Sequence, residues 1–149
     1  MNYPVTFKNY PNGQIGVFFP DVPEAITAGA TKAEALDRAQ DALMVALSGY
    51  LDSGLVLPIP SKAKRGQRVV VLPPRVAIKL AIHDAMRQQN MTQSQLGDRL
   101  GVEGRQVRRL LDLDHESKLS YLEAALAALG LRMAVSMSKV SQFDSKAAA

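Results

Sequence analysis

The stretch TQSQLGDRLGVEGRQVRRLL, residues 92–111, constrains the fold of this chain more than any other segment. Thr92 and Gln95 have the spacing of a capping box, which predicts the start of a helix. Gly101 follows where the chain must turn sharply, because glycine adopts a positive φ angle without strain, and a second helix is predicted from about Glu103. Apolar residues recur where two short crossed helices must share a core, at Leu96, Leu100, Val102, Val107 and Leu110. This spacing is typical of a helix-turn-helix.

The second predicted helix carries a polar outer face, which argues against an unspecialised helical hairpin. That face holds three cations and one amide: Arg105, Gln106, Arg108 and Arg109. Arg105 and Gln106 are candidates for contacts with DNA base edges, whereas Arg109 is the better candidate for a phosphate contact. Free backbone amides at the start of the first helix favour an anion, so phosphate contacts are also predicted at Thr92, Gln93 and Ser94. One such motif covers half of a typical operator, so we expect a homodimer or a higher even-numbered oligomer on an inverted repeat.

The amino-terminal half is predicted to be an antiparallel sheet with one long helix. Segments rich in β-branched, aromatic or small apolar residues predict strands at Tyr3–Lys8, Ile15–Phe19, Ala25–Ala30 and Val69–Leu72. The turn formers NYPNG join the first two as a hairpin. Thr31 and Glu34 have capping-box spacing, and the apolar period that follows predicts an amphipathic helix ended by Gly54. Residues 57–68 mix proline, glycine and four cations, so they are predicted to be a loop.

Pro73 and Pro74 end the last predicted strand and open another helix, so we place a domain boundary between 1–74 and 75–149. The expected fold is α+β: a sheet of three to four strands with a long helix, followed by an all-α helix-turn-helix domain.

The second domain is predicted to contain two further elements. Ser120 and Glu123 have capping-box spacing for a helix through Leu129, and residues 131–137 alternate enough to predict a short strand. The last nine residues, 141–149, carry no periodicity and are predicted to be a frayed tail.

Charge is divided unevenly along the chain. Residues 1–60 hold three Lys/Arg against six Asp/Glu, and residues 61–149 hold fifteen against eight, so the net charges are −3 and +7. A basic half attracts a polyanion and an acidic half attracts a basic protein, with uneven solvated surfaces as the alternative. The lack of cysteine and of a long apolar run predicts a cytoplasmic protein without a membrane span.

Acidic residues and histidines give little support to catalysis. Metal-dependent hydrolysis of a polynucleotide needs carboxylates converging from neighbouring strands, and the four predicted strands contain none. His83 and His115 lack a matched acid or nucleophile spacing. Asp21 and Glu24 are predicted to be surface acids on a proline-rich turn, serving either a basic partner or the turn itself. We therefore expect no enzymatic activity, no bound metal and no cofactor.

Several short motifs occur in a characteristic order: FPDVP at 19–23, ITAGAT at 26–31, EAL at 34–36, LPIPS at 57–61, and then the helix-turn-helix. Over about residues 3–135 the chain resembles the HicB antitoxin family of bacterial toxin–antitoxin pairs. Glu24 departs from the pattern, since the family usually has glycine there.

The resemblance implies a partial ribonuclease-H-like amino-terminal domain without catalytic residues. It also implies a partner, a small basic HicA-type ribonuclease that cuts messenger RNA, and repression of the pair's own operon. The candidate toxin-binding residues lie in and just after the FPDVP motif: Phe19, Asp21, Val22 and Glu24.

Two hypotheses about the function remain open, and they assign the chain to different classes of protein. In the first, residues 1–74 inhibit the ribonuclease and residues 75–149 dimerise on operator DNA. In the second, the chain is a stand-alone helix-turn-helix transcription factor whose amino-terminal domain senses a small ligand. A neighbouring short reading frame for a basic protein with a single histidine favours the first, and its absence favours the second.

Overall fold

A computed structural model of the chain describes residues 1–139, and the tail predicted at 141–149 lies outside them. The described residues fall into two compact units, Met1–Leu72 and Pro73–Ser138. The first unit holds a sheet and a long helix, and the second is helical. The predicted α+β class is therefore confirmed, and the junction lies two residues before the predicted domain boundary.

Four antiparallel strands build the sheet of the first unit: β1 (Asn2–Asn9), β2 (Ile15–Phe18), β3 (Ile26–Gly29) and β4 (Arg68–Val71). Their order is β3-β2-β1-β4, so β4 returns to pair with the first strand of the chain. β1 and β2 form the predicted hairpin, in which Thr6 pairs with Phe18, and the Tyr10 N–H donates to the Gln14 carbonyl at 2.8 Å. All four predicted strands are present within one residue of their expected limits.

The helix α1, Lys32–Asp52, packs on the sheet through one buried stripe: Ala35, Ala39, Leu43 and Leu47. Its start was predicted correctly, because the Thr31 hydroxyl accepts a hydrogen bond from the Glu34 N–H at 3.1 Å. Gly29 allows the close approach of α1 to β3, since a Cβ atom at this position would lie 2.6 Å from the α1 backbone. Gly54, with a φ angle of +64°, follows the end of the helix as predicted.

The second unit contains four helices: α2 (Pro74–Gln88), α3 (Gln93–Leu100), α4 (Gly104–Leu111) and α5 (Leu119–Ala128). They share one apolar core. Leu96, Val107 and Leu110 are buried in that core, and Leu100 and Val102 pack against it. These are the five residues whose spacing predicted the helix-turn-helix, so the apolar pattern was interpreted correctly.

Two predictions for this unit are wrong. The helix α5 begins two residues early: Lys118 is its N-cap, and the Lys118 carbonyl accepts from the Leu122 N–H at 3.3 Å. Ser120 therefore lies in the first turn instead of capping it. Residues 131–137 form no strand within the single chain, since the described part of this unit offers no neighbouring strand for backbone hydrogen bonds.

The units divide the charge more evenly than the halves of the chain do. Four cations between residues 62 and 68 belong to the first unit: Lys62, Lys64, Arg65 and Arg68. Met1–Leu72 therefore holds seven Lys/Arg against six Asp/Glu, a net charge of +1, and Pro73–Ser138 holds nine against seven, a net charge of +2. An acidic surface on the first unit must accordingly be local, since the unit as a whole is not acidic.

Candidate DNA-binding face and partner-binding turn

A capping box starts α3, and two glycines shape its turn into α4. The Thr92 hydroxyl accepts from the Gln95 N–H at 3.1 Å, and the Gln95 side chain accepts from the Thr92 N–H at 2.9 Å. Gly101 has a φ angle of +65° and ends α3. A Cβ atom on Gly97 would lie 3.0 Å from the Val102 carbonyl oxygen and would also crowd a side chain of α4. The capping box and the turn glycine are where the sequence predicted them, and Gly97 sets how closely α4 approaches.

The first turn of α4 is held by the side chain of Gln106. Glu103 is the N-cap residue, and its backbone N–H donates to the Gln106 side-chain oxygen at 3.2 Å. This bond orients the amide, so its NH2 group is the part that can meet an acceptor on DNA. The Glu103 carboxylate is favourable at a helix N-terminus, which accounts for an acid beside a cationic face.

The outer side of α4 is polar and exposed. Its four predicted contact residues are all at the surface: Arg105, Gln106, Arg108 and Arg109. The inner side is buried: Val107, Leu110 and Leu111. Within the described residues, no carboxylate forms an ion pair with these arginines. Three further predicted residues are exposed at the start of α3: Thr92, Gln93 and Ser94. The helix-turn-helix therefore brings the seven candidates to the surface on two adjacent elements.

The other end of α4 is held by a buried lysine from α2. Lys79 is fully buried, and its ammonium group donates to three carbonyl oxygens: Arg109 at 3.3 Å, Asp112 at 2.5 Å and His115 at 2.7 Å. Burial lowers the pKa of Lys79, and the neighbouring charge of Arg75 lowers it further. The three protons of an ammonium group match three acceptors, so each has a partner in the protein.

One turn further along α2, His83 also contacts the end of α4. Its Nε2 atom lies 2.8 Å from the Leu111 carbonyl oxygen, which can only accept, so the ring donates. Sequence reasoning gave neither Lys79 nor His83 a role. A signal was present, because Val76, Lys79 and Leu80 share the helical spacing of a core-facing stripe, where a lysine needs a partner.

The four candidate toxin-binding residues in the turn after β2 are of two kinds. Phe19 and Val22 are buried, so their side chains belong to the core of the first unit. The Asp21 carboxylate accepts from both the backbone N–H and the hydroxyl of Ser61, at 2.9 and 3.0 Å. Glu24 is exposed. Asp21 therefore has a structural task, which its position in the sequence did not reveal.

Further hydrogen bonds attach this region to its surroundings. The Tyr50 hydroxyl of α1 donates to the Glu24 carboxylate at 2.9 Å, and this bond raises the pKa of Tyr50. The Tyr3 hydroxyl donates to the Pro58 carbonyl at 2.8 Å. Burial raises the pKa of Tyr3 to about 12, with the charge of Asp21 adding to the shift. Tyr3 and Asp21 together hold the loop between α1 and β4 on the unit.

The described residues contain no cluster of three or more His, Asp or Glu placed to hold a metal ion. In the same part of the chain, no helix is long and apolar enough to cross a membrane.

Fold and site first define a class: a two-unit α+β protein in which a sheet-and-helix unit precedes a helix-turn-helix unit. Comparison with known proteins identifies the family within this class. Residues 2–81 match the family model for the HicB_like antitoxin of bacterial toxin-antitoxin system. The chain belongs to the HicB antitoxin family.

Curated relatives match nearly the whole chain. Antitoxin HicB of Escherichia coli strain K12 is 36% identical over 137 residues, which cover 92% of this chain and 99% of that protein. Antitoxin HicB 2 of Photorhabdus laumondii is 37% identical over 130 residues, covering 87% and 91%. Antitoxin HicB of Pseudomonas fluorescens strain Pf0-1 is 35% identical over 126 residues, covering 84% and 86%. The match therefore includes both units.

Proposed function

We propose that this chain inhibits a HicA-type mRNA-cleaving ribonuclease through its first unit and represses its own operon through its second. The observation that carries the proposal is an exposed cationic face on the second helix of a helix-turn-helix, in a member of an antitoxin family. The chain acts as a non-enzymatic regulator in the cytoplasm, without a metal or cofactor.

In the second unit, α4 is the recognition helix. Arg105 and Gln106 near its start read base edges in the major groove, while Arg108 and Arg109 contact the backbone. Phosphate also binds the amino-terminal end of α3, where three small or polar residues surround free backbone amides: Thr92, Gln93 and Ser94. Two copies of the chain place two such helices on the halves of an inverted repeat.

In the first unit, the turn after β2 meets the basic toxin. Glu24 presents its carboxylate at the surface, and Asp21 contributes negative charge while holding Ser61. Phe19 and Val22 act from inside, because their buried side chains fix the shape of the turn. Since the net charge of the unit is +1, local acids rather than overall charge attract the partner.

The two activities are predicted to be separable. Replacing both Arg105 and Gln106 with alanine should abolish the preference for operator over scrambled DNA in a gel-shift assay, because the base contacts are lost. The same variant should copurify with the neighbouring gene product and rescue growth when that product is expressed. Loss of rescue in a folded variant contradicts the division of labour between the units. Failure of the unaltered chain to copurify favours the alternative, a stand-alone transcription factor.

Arg109 is predicted to contact phosphate rather than bases. Arg109→Ala should weaken binding to operator and scrambled duplexes by the same factor, and it should reduce the slope of log affinity against log salt by about one unit. Titrations at several salt concentrations measure both quantities. An unchanged slope removes Arg109 from the set of phosphate contacts.

A further inference from the structure

We propose that Lys79 is a positioning residue that fixes the recognition helix for base readout, with His83 in a supporting role. Together these two side chains form the α4 clamp. The inference rests on the proposed operator binding and adds a determinant of its specificity that lies inside the protein.

The clamp holds four carbonyl oxygens at and beyond the end of α4. Lys79 takes three of them, at distances of 2.5 to 3.3 Å, and His83 takes the fourth, that of Leu111. The acceptors are 28 to 36 residues away from the donors in the sequence. A single face of α2 therefore fixes the last turn of α4 and the segment that follows it.

The clamp replaces a local C-terminal cap. Helices often end with a left-handed glycine whose backbone amides satisfy the last carbonyls. Here the residue after α4 is Asp112, in an extended conformation with φ −69° and ψ 119°. The ammonium group of Lys79 supplies a donor to the Arg109 carbonyl in the last turn, and its positive charge is favourable at the carbonyl end of a helix.

The clamp fixes one end of a very short element, which the apolar core holds along its inner side. α4 has eight residues, about two turns. Its start is fixed by the turn from α3, where the Val102 N–H donates to the Gly97 carbonyl at 3.0 Å, and its end is fixed by Lys79 and His83. Base contacts require placement within about 0.5 Å, whereas a long arginine side chain can follow a phosphate through a larger shift. Loss of the clamp should therefore reduce specificity more than general affinity.

The experiment compares Lys79→Met with Arg87→Met. Methionine keeps much of the length of lysine but has no donor, and Arg87 is an exposed cation on the same helix.

The DNA probes are a duplex from upstream of the chain's own reading frame and a scrambled duplex of equal composition. For Lys79→Met we expect the ratio of the two affinities to fall about tenfold or more, the scale of one lost base contact. Affinity for the scrambled duplex and the salt slope should change less than about twofold, and Arg87→Met should preserve the ratio.

A purely structural role predicts a different result. If Lys79 only raises the folded fraction, Lys79→Met lowers the affinities for both duplexes by the same factor. The ratio of the two affinities is then unchanged, which overturns the proposal. If Lys79→Met does not fold, His83→Phe decides: it removes the hydrogen bond to the Leu111 carbonyl and should lower the ratio about threefold or more. An unchanged ratio in folded His83→Phe also overturns the proposal.

Amide hydrogen exchange separates failure of the clamp from failure of the proposed function. If the unaltered chain does not prefer its upstream DNA, operator binding is refuted. The clamp is then tested by exchange at the end of α4, where the Asp112 N–H donates to the Arg108 carbonyl. Faster exchange in Lys79→Met than in Arg87→Met supports the clamp, and equal exchange overturns it.

Discussion

The Asp21 carboxylate accepts two hydrogen bonds from Ser61, 40 residues away. It therefore acts as an attachment point for the loop between α1 and β4 before any partner is considered. Glu24 differs, because its bond to Tyr50 leaves the residue exposed. Charge reversal at Asp21 changes the loop and the docking surface together, so Glu24 is the cleaner position for testing contact with a toxin.

Loss of the Asp21 carboxylate should release this loop. In Asp21→Ala we expect faster trypsin cleavage after three exposed loop cations, Lys62, Lys64 and Arg65, because proteases cut segments that detach from the surface. Mass spectrometry of the early fragments measures the rates. Glu24→Ala is the matched control and should leave them unchanged. Equal rates in Asp21→Ala and the unaltered chain would show that the Asp21 carboxylate does not hold the loop.

Substituting alanine for two glycines should change the free energy of unfolding in opposite directions. Gly101 lies in the turn before α4, and Gly104 is the first residue of α4. Gly101 has a positive φ angle and open space around its Cβ position, so Gly101→Ala suffers only backbone strain, which costs about 1–2 kcal/mol. Gly101→Asn should lose less, since asparagine tolerates this conformation better. Gly104 is helical, without positive φ, and no other part of the structure crowds its Cβ position, so Gly104→Ala should stabilise the fold by up to about 1 kcal/mol.

Urea unfolding followed by circular dichroism measures these free energies. Destabilisation by Gly101→Asn as large as by Gly101→Ala would show that the turn is strained by packing and not by the backbone angle.

The helical elements also show where sequence patterns were sufficient. The helices α3 and α4 were predicted because their signals are local: a capping box, a left-handed glycine and an apolar period within 20 residues. The helix α5 was placed two residues late, since Ser120 and Glu123 have the right spacing but the Lys118 carbonyl accepts the first helical bond. A spacing rule states which cap is possible, while the packing of the helix selects its first residue.

At the level of the assembly, we predict that two copies bind one operator. Footprinting upstream of the reading frame should show two inverted half-sites separated by about one helical turn, roughly 34 Å or 10 base pairs. Sedimentation should give a dimer in the range of concentrations where both half-sites are protected. Protection of one half-site by a monomer would contradict the proposed dimer.

The division of the chain into a sheet-and-helix unit and a helical unit was largely predictable, and so was the exposure of Arg105 and Arg109. The division of charge was less predictable, because the contrast between the halves depended on cations at 62–68 that belong to the first unit. The partner-binding turn was the least predictable, since the sequence does not distinguish buried Phe19 and Val22 from exposed Glu24.

The sequence by itself determined features that depend on residues close together in the chain: the capping boxes at Thr31 and Thr92, and the left-handed Gly101. Each rests on a bond or a backbone preference within one turn. Only the tertiary structure decided the tasks of Lys79 and Asp21, whose partners are 30 to 40 residues away. Such contacts exist because separate elements pack together, and no local pattern specifies which carbonyl or hydroxyl a buried or half-buried charge will meet.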